Sequence, residues 1–256
     1  MPAPVNTFKK ALLEGKTQIG CWMSMAEGYT AEIMGHAGFD WLLIDGEHSP
    51  NDIRSIRDQM IALRGSDSHP IVRVPIGETW IIKQVLDTGA QSILVPMVET
   101  AEHARALVSA CRFPPVGTRG VGFAVGRASD FGQTENYGPT ASDQICLLVQ
   151  VETQTGLDSL DAILAVEGVD GVFIGPADLS ASMDYLGKAS HPHMQATILS
   201  ALRKISASGK AAGILTTDDK MIEASLDAGA RFVAVAMDIA LLLGNAKAAA
   251  KKWQAG

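Results

Sequence analysis

The chain has few aromatic residues, 5% of 256, only three cysteines, and no apolar run long enough to cross a bilayer. Each shortage excludes something. With so few rings, packing falls to Ala, Val, Ile, Leu and Gly within a 47% hydrophobic composition, the make-up of a folded α/β protein and not of a disordered chain. Cys21, Cys111 and Cys146 are odd in number, far apart and set in or beside apolar segments, so they read as reduced core thiols and not as a disulfide framework. The opening stretch MPAPVNTFKKALLEGK lacks the apolar centre of a signal peptide, and no later stretch approaches the roughly 18 charge-free apolar residues of a spanning helix. A cytoplasmic protein with no membrane partner is expected. Basic charge is scarce too. A net charge of −7 and a pI near 5.3 argue against a nucleic-acid partner, because neutralising phosphate takes clustered Lys and Arg.

What the chain does have is a recurring apolar phrase. Short β-rich runs begin at 19 (IGCWMSM), 41 (WLLID), 70 (PIVRVP), 91 (QSILVPM), 145 (ICLLVQVE), 171 (GVFIG), 211 (AAGILT) and 232 (FVAVAMD). They are nearly continuous in apolar residues, as strands covered on both faces must be. Between them lie helical segments that stop at Gly38, Gly89 and Gly229, each placed as a C-cap glycine before the next strand. Eight strands alternating with helices predict a (β/α)₈ TIM barrel spanning 1–256 as one domain. The longest gap, 91 to 145, holds PPVGTRGVGFAVGRASDFGQ and leaves room for an extra helix and a functional loop. The stretch 239–253 reads as an amphipathic helix whose apolar face suits a neighbouring subunit.

In such a barrel the chemistry sits at the C-terminal ends of the strands. The polar residues there are Asp45, Glu47 and His48 after the second strand, Arg73 in the third, Gln150 and Glu152 in the fifth, and Gly175, Pro176, Ala177 and Asp178 after the sixth. Glu152 and Asp178 end adjacent strands, where two carboxylates can hold a hard divalent cation or simply cap the following helices. Arg73 in an apolar strand needs an acidic partner, and its fork would also suit the oxygens of a small oxoacid. His48 lies three residues after Asp45, within reach of a carboxylate that could orient its ring for proton transfer; an ordinary loop histidine would look the same.

Two absences narrow the chemistry further. No lysine falls at a strand's C-terminal end, Lys210 standing before the seventh strand, so Schiff-base catalysis is not expected. The glycines of GVGFAVG have the wrong spacing for a dinucleotide fingerprint, so neither a nucleotide nor a flavin cofactor is expected.

FDWLLIDGEHSPN, ILVPMVE, RFPPVGTRGVG, LVQVET and VEGVDGVFIGPADLSASM, in that order, resemble the motifs of the HpcH/HpaI family of class II pyruvate aldolases over nearly the whole chain. The resemblance implies a barrel of the phosphoenolpyruvate/pyruvate superfamily type that cleaves 4-hydroxy-2-oxo acids reversibly into pyruvate, or a related 2-oxo acid, and an aldehyde. It implies Mg²⁺, Mn²⁺ or Co²⁺ held by Glu152 and Asp178, and a substrate carboxylate at the amides of Ala177 and Asp178 beside Gly175, Pro176 and Gln150. Arg73 would face the keto oxygen, His48 oriented by Asp45 would be the base, and Glu47 would hold a water. Asp87 matches a position that serves a neighbouring subunit's site, and the family's homohexamers, trimers of dimers, exchange the terminal helix. Trp22, Phe123, Val125 and Leu215 are the candidates for the aldehyde pocket, with Phe123 and Thr216 departing from the family pattern and succinic semialdehyde the family-level acceptor. Two other readings stay open: a coenzyme A thioester lyase of the citrate-lyase or malyl type, and a barrel that binds an oxoacid without catalysis.

Overall fold

Eight strands form where the eight apolar runs lie. In the computed structural model, which describes residues 2–254, they are β1 (Gln18–Met23), β2 (Trp41–Asp45), β3 (His69–Arg73), β4 (Ser92–Val95), β5 (Cys146–Val151), β6 (Gly171–Ile174), β7 (Ala211–Leu215) and β8 (Ala230–Met237). Each pairs in parallel with the next, and β8 pairs with β1, so the sheet closes into a barrel. Helices run between the strands, which makes the fold a (β/α)₈ TIM barrel. The three C-cap glycines behave as expected: Gly38, Gly89 and Gly229 all follow a helix with positive φ, at 86°, 100° and 93°.

Alternation along the strands divides the core in two. Leu42, Ile44, Val72, Ile93 and Val149 point outward and pack with the surrounding helices. Trp22, Trp41, Leu43, Ile71, Leu148, Phe173 and Phe232 fill the inside. The helix Thr7–Leu13 closes the N-terminal end, where Phe8 meets Trp41 at 6.2 Å, His69 at 5.7 Å and Phe232 at 6.1 Å between ring centroids. Phe8, Trp22, Trp41, Phe173 and Phe232 thus gather inside the barrel, and two glycines make room for their rings. A Cβ at Gly20 would stand 2.1 Å from the Trp41 ring, and one at Gly213 would stand 2.2 Å from the Phe232 ring.

The gap between β4 and β5 contains the helix Ala101–Cys111, a short helix Tyr137–Ala141 and two 3₁₀ turns. It has a small core of its own, in which Phe123 packs against Phe113 at 5.6 Å and Tyr137 at 6.0 Å. After β8 a helix runs over Asp238–Gln254 with Ile239, Leu242, Leu243 and Trp253 exposed. Among the described residues no helix is long and apolar enough to cross a membrane. All three cysteines are free and buried, and burial raises the Cys21 and Cys111 thiols to about 12.

The glycine clearances make a test of the inner packing. Gly213→Ala should lower the urea-unfolding stability by about 1–3 kcal/mol, the usual cost of overpacking a close-packed core. An unchanged midpoint would mean that the Phe232 ring can move aside without loss.

Candidate active site

The polar residues that sequence position alone assigns to the strand ends converge on one cavity of about 580 Å³ at the C-terminal mouth of the barrel. Its lining includes Trp22, Asp45, His48, Arg73, Gln150, Glu152, Leu215 and the run Gly175 to Asp178. Glu47 stands just behind, reaching the same Arg73.

The β2–β3 register sets the first part of the site, because it places Asp45 opposite Arg73. From there Arg73 donates Nε to Asp45 Oδ1 at 2.8 Å and Nη2 to Oδ2 at 2.7 Å, a bidentate fork with both side chains buried. Its Nη1 lies 2.6 Å from Glu47 Oε2, and its guanidinium carbon is 4.9 Å from the Trp22 ring centroid. The Glu47 contact is an ion pair of poor direction, so Oε2 still lacks a hydrogen-bond donor. Asp45 also accepts from the Trp22 indole at 3.2 Å. Burial alone would raise the Asp45 carboxyl, but the hydrogen bonds and charge of Arg73 outweigh it and hold the group below the usual carboxylate range.

The turn after β2 corrects one expectation. Asp45 Oδ1 accepts from the backbone N–H of Glu47 at 3.0 Å and of His48 at 3.4 Å, so it shapes the turn and does not orient the imidazole. The acidic group nearest the His48 ring is Glu47, with Oε2 3.9 Å from Nε2. Asn51 fastens the turn by donating to the Asp45 carbonyl at 2.7 Å. The ring itself is largely exposed and lines the cavity.

Opposite lies a carboxylate cluster. Glu152 is buried, accepting from the Met97 amide at 2.9 Å and from the Gln150 side chain. Burial raises its carboxyl above the usual range; the two donors pull it down, while the charges of Glu47 and Asp178 push it up again. Burial likewise raises Glu47, with Arg73 opposing and Asp45 and Asp178 adding. Gln150 Oε1 is buried with no partner. A Cβ at Gly175 would lie 2.5 Å from Glu152 Oε2, so only glycine lets that carboxylate rest against the start of the β6 turn. Mutually repelling oxygens with an unpartnered carbonyl suit a hard divalent cation. Among the described residues no three His, Cys, Asp or Glu groups gather into a ligand set, so Glu152 and Asp178 would leave other positions to water or substrate.

Two of the four aldehyde-pocket candidates lie outside the cavity of their own chain. Phe123 is held in the separate aromatic cluster with Phe113 and Tyr137, and Val125 is 80% exposed; neither lines the cavity of its own chain. Trp22 and Leu215 do line it. Asp87 also lies outside the cavity of its own chain, paired at 2.8 Å with the fully buried Arg119. Sequence reasoning missed Met97, which holds Glu152 through a backbone N–H at φ 55°; no side-chain chemistry marks such a position. It also missed Ser190, Gln195 and Asp218 on the cavity wall. The polar residues after β7 give a faint signal for Asp218 alone, since Ser190 comes from a distant loop and Gln195 from the first turn of the helix Pro192–Ala207.

Residues 18–244 match the HpcH/HpaI aldolase/citrate lyase family. Over 256 residues the chain is 76% identical to a hydroxypyruvate/pyruvate aldolase of Roseobacter denitrificans, covering all of both chains. It is 54% identical to a 2-keto-3-deoxy-L-rhamnonate aldolase of Klebsiella pneumoniae, over 92% of this chain and 88% of that one. The crystal structure of an HpcH/HpaI aldolase/citrate lyase family protein from Burkholderia cenocepacia superposes with a TM-score of 0.94, at 37% identity, over 98% of this chain and 100% of the other.

The depressed Asp45 carboxyl carries a stability consequence with a definite sign. A lowered folded-state value stabilises above the usual carboxylate range, and the contribution is lost as pH falls through the lowered value. Asp45→Asn should therefore cost about 3 kcal/mol at pH 7. In urea unfolding, the gap to the wild type should begin to close only below about pH 4. A gap that is small at pH 7 would mean that Glu47 alone can neutralise Arg73.

Proposed function

The chain belongs to the HpcH/HpaI aldolase/citrate lyase family and is an aldolase, a carbon–carbon lyase; from that premise we propose that it cleaves and forms 4-hydroxy-2-oxo acids with pyruvate or hydroxypyruvate as the donor half. The observation that carries this reading is the convergence of Arg73, His48 and the Glu152/Asp178 pair on one cavity at the barrel mouth. The names of the relatives support the donor.

Cleavage needs a base for the 4-hydroxyl proton, positive charge at the 2-keto oxygen as the enolate forms, and a grip on the carboxylate. A divalent cation, Mg²⁺, Mn²⁺ or Co²⁺, bound by Glu152 and Asp178 supplies Lewis acidity at the keto oxygen. Arg73 adds fixed positive charge. Its fork to Asp45 uses two of five N–H groups and its contact with Glu47 engages Nη1, so donors remain for the cavity. His48 takes the hydroxyl proton, the bond between C3 and C4 breaks to release the aldehyde, and the electron pair passes into the enolate. Protonation at C3 then completes the 2-oxo acid. Glu47, beside both His48 and Arg73, holds the base near the cavity and a water within its reach. The amides of Ala177 and Asp178, in the first turn of the helix Pro176–Ser182, have no intrahelical partner and receive the substrate carboxylate. The same reading includes a homohexamer, for which the exposed apolar residues of the helix Asp238–Gln254 offer a face, with Asp87 turned toward a neighbouring copy's site.

Deuterium should enter the methyl group of pyruvate in D₂O when Mg²⁺ or Mn²⁺ is present, read by NMR, and the exchange should collapse in Arg73→Lys, which keeps the charge but loses the fork. No exchange in the metal-loaded wild type would count against enolate formation without an acceptor. His48→Asn should lower aldol-cleavage kcat by about 10²- to 10⁴-fold. Its Mn²⁺ affinity, followed by electron paramagnetic resonance, should stay as in the wild type. Glu152→Gln should weaken Mn²⁺ binding about tenfold or more. Because a cation requires the raised Glu152 carboxyl to be ionised, wild-type affinity should climb as pH rises through and above the ordinary carboxylate range. Affinity flat between pH 4 and 7 would remove Glu152 from the site.

A further inference from the structure

A second cavity, of about 470 Å³, lies at the other face of the barrel. Gly89, Ala90 and Gln91 lead into β4 and Ile145 leads into β5, so the cavity sits beside the N-terminal ends of these strands. Its remaining walls come from the 3₁₀ turn Arg127–Ser129 with the residues after it, and from the C-terminal end of the helix Ile53–Ala62. None of the residues proposed for the aldol reaction lines it.

Two arginines, Arg64 and Arg127, line this cavity. Arg127 is half-buried and donates Nη1 to the Thr88 carbonyl at 2.8 Å and Nη2 to the Met60 carbonyl at 3.3 Å, which leaves three of its five N–H groups free. Arg64 is exposed. The arginine ion pairs among the described residues belong to Arg57, Arg73, Arg105 and Arg119, and neither cavity arginine joins them. Burial lowers the Arg127 guanidinium below its ordinary value, the charge of Arg64 lowers it further, and Asp130 opposes the shift. The two guanidinium groups are thus close enough to repel. Asp130, also on the wall, supplies one negative charge against their two, which leaves a single positive charge uncompensated in a concave site.

The large neighbours of these charges are Ile61, Phe131, Tyr137 and Ile145. Tyr137 and Ile145 are buried, whereas Ile61 is 49% and Phe131 61% exposed. A ligand with an apolar body would take both out of water while its anionic head met the guanidinium groups. Charge and shape together select the head group. One carboxylate neutralises the uncompensated charge, whereas a phosphate dianion would overshoot it beside Asp130 and leave the apolar walls wet.

We propose that this cavity is a second ligand site, for a small carboxylate with an apolar or aromatic body. Arg64 and Arg127 hold the carboxylate, and Phe131 and Ile61 pack on the body. The site is separate from the cavity at the barrel mouth, and its occupation does not depend on the aldol chemistry there.

The test is isothermal titration calorimetry at constant ionic strength with benzoate, acetate, benzyl alcohol and inorganic phosphate, on the wild type, Arg64→Gln and Phe131→Ala. Both substituted side chains are exposed and Arg64 makes no side-chain hydrogen bond, so the fold should be kept, as matching thermal melts would verify. The wild type should bind benzoate about tenfold more tightly than acetate, phosphate or the uncharged benzyl alcohol. Arg64→Gln should weaken benzoate about tenfold. Because Arg64 does not line the mouth of the barrel, that loss cannot come from benzoate bound there. Phe131→Ala should weaken benzoate about three- to tenfold and leave acetate unmoved. A wild type that does not bind benzoate overturns the proposal, as does benzoate affinity unchanged in both variants, which would place the ligand elsewhere. Phosphate bound more tightly than benzoate also overturns it, since the cavity would then be an inorganic-anion site with no use for its apolar walls.

Discussion

The site depends on the fork between Arg73 and Asp45. Two charges buried at neighbouring strand ends are expensive to desolvate, and they are tolerated only because the parallel register of β2 and β3 brings them together bidentately. Once formed, the fork organises what surrounds it. Asp45 draws in the Trp22 indole and the amides of Glu47 and His48, so one carboxylate fixes a ring, a turn and the position of His48, the proposed base. Arg73, held rigid, offers positive charge to the cavity without a lysine's flexibility.

Facing the fork is the opposite problem. Glu152 and Asp178 crowd negative charge into a partly dry cavity, with Glu47 near enough to add to it, and burial already raises the Glu152 carboxyl. The fold accepts that strain through backbone devices: a left-handed Met97 that donates its amide, and a Gly175 whose missing side chain leaves space for Glu152. An arrangement that disfavours its own ionisation supports the proposed binding of a cation there.

The strand ends were readable because a (β/α)₈ barrel turns position in the chain into position in space. Each apolar run ends at the same rim, so Asp45, His48, Arg73, Gln150, Glu152 and Asp178 could be selected by location before chemistry was considered. The same logic fails for residues that do not end a strand. Phe123 and Val125 sit in the long β4–β5 connection, whose path no periodicity dictates; Phe123 goes into a local aromatic cluster and Val125 to the surface. Ser190 and Gln195 reach the cavity from a loop and a helix start.

By itself the sequence determined the strand count, the glycine helix stops and the set of polar groups at the barrel mouth, since all of these follow from local periodicity and chain order. Only the tertiary structure decided which partner each polar group took. Asp45 chose the Arg73 guanidinium and the backbone of the turn over the His48 ring, and Glu152 found an amide from β4's far end. Such choices are made by distances across the closed sheet, between residues whose separation along the chain carries no information about their separation in space.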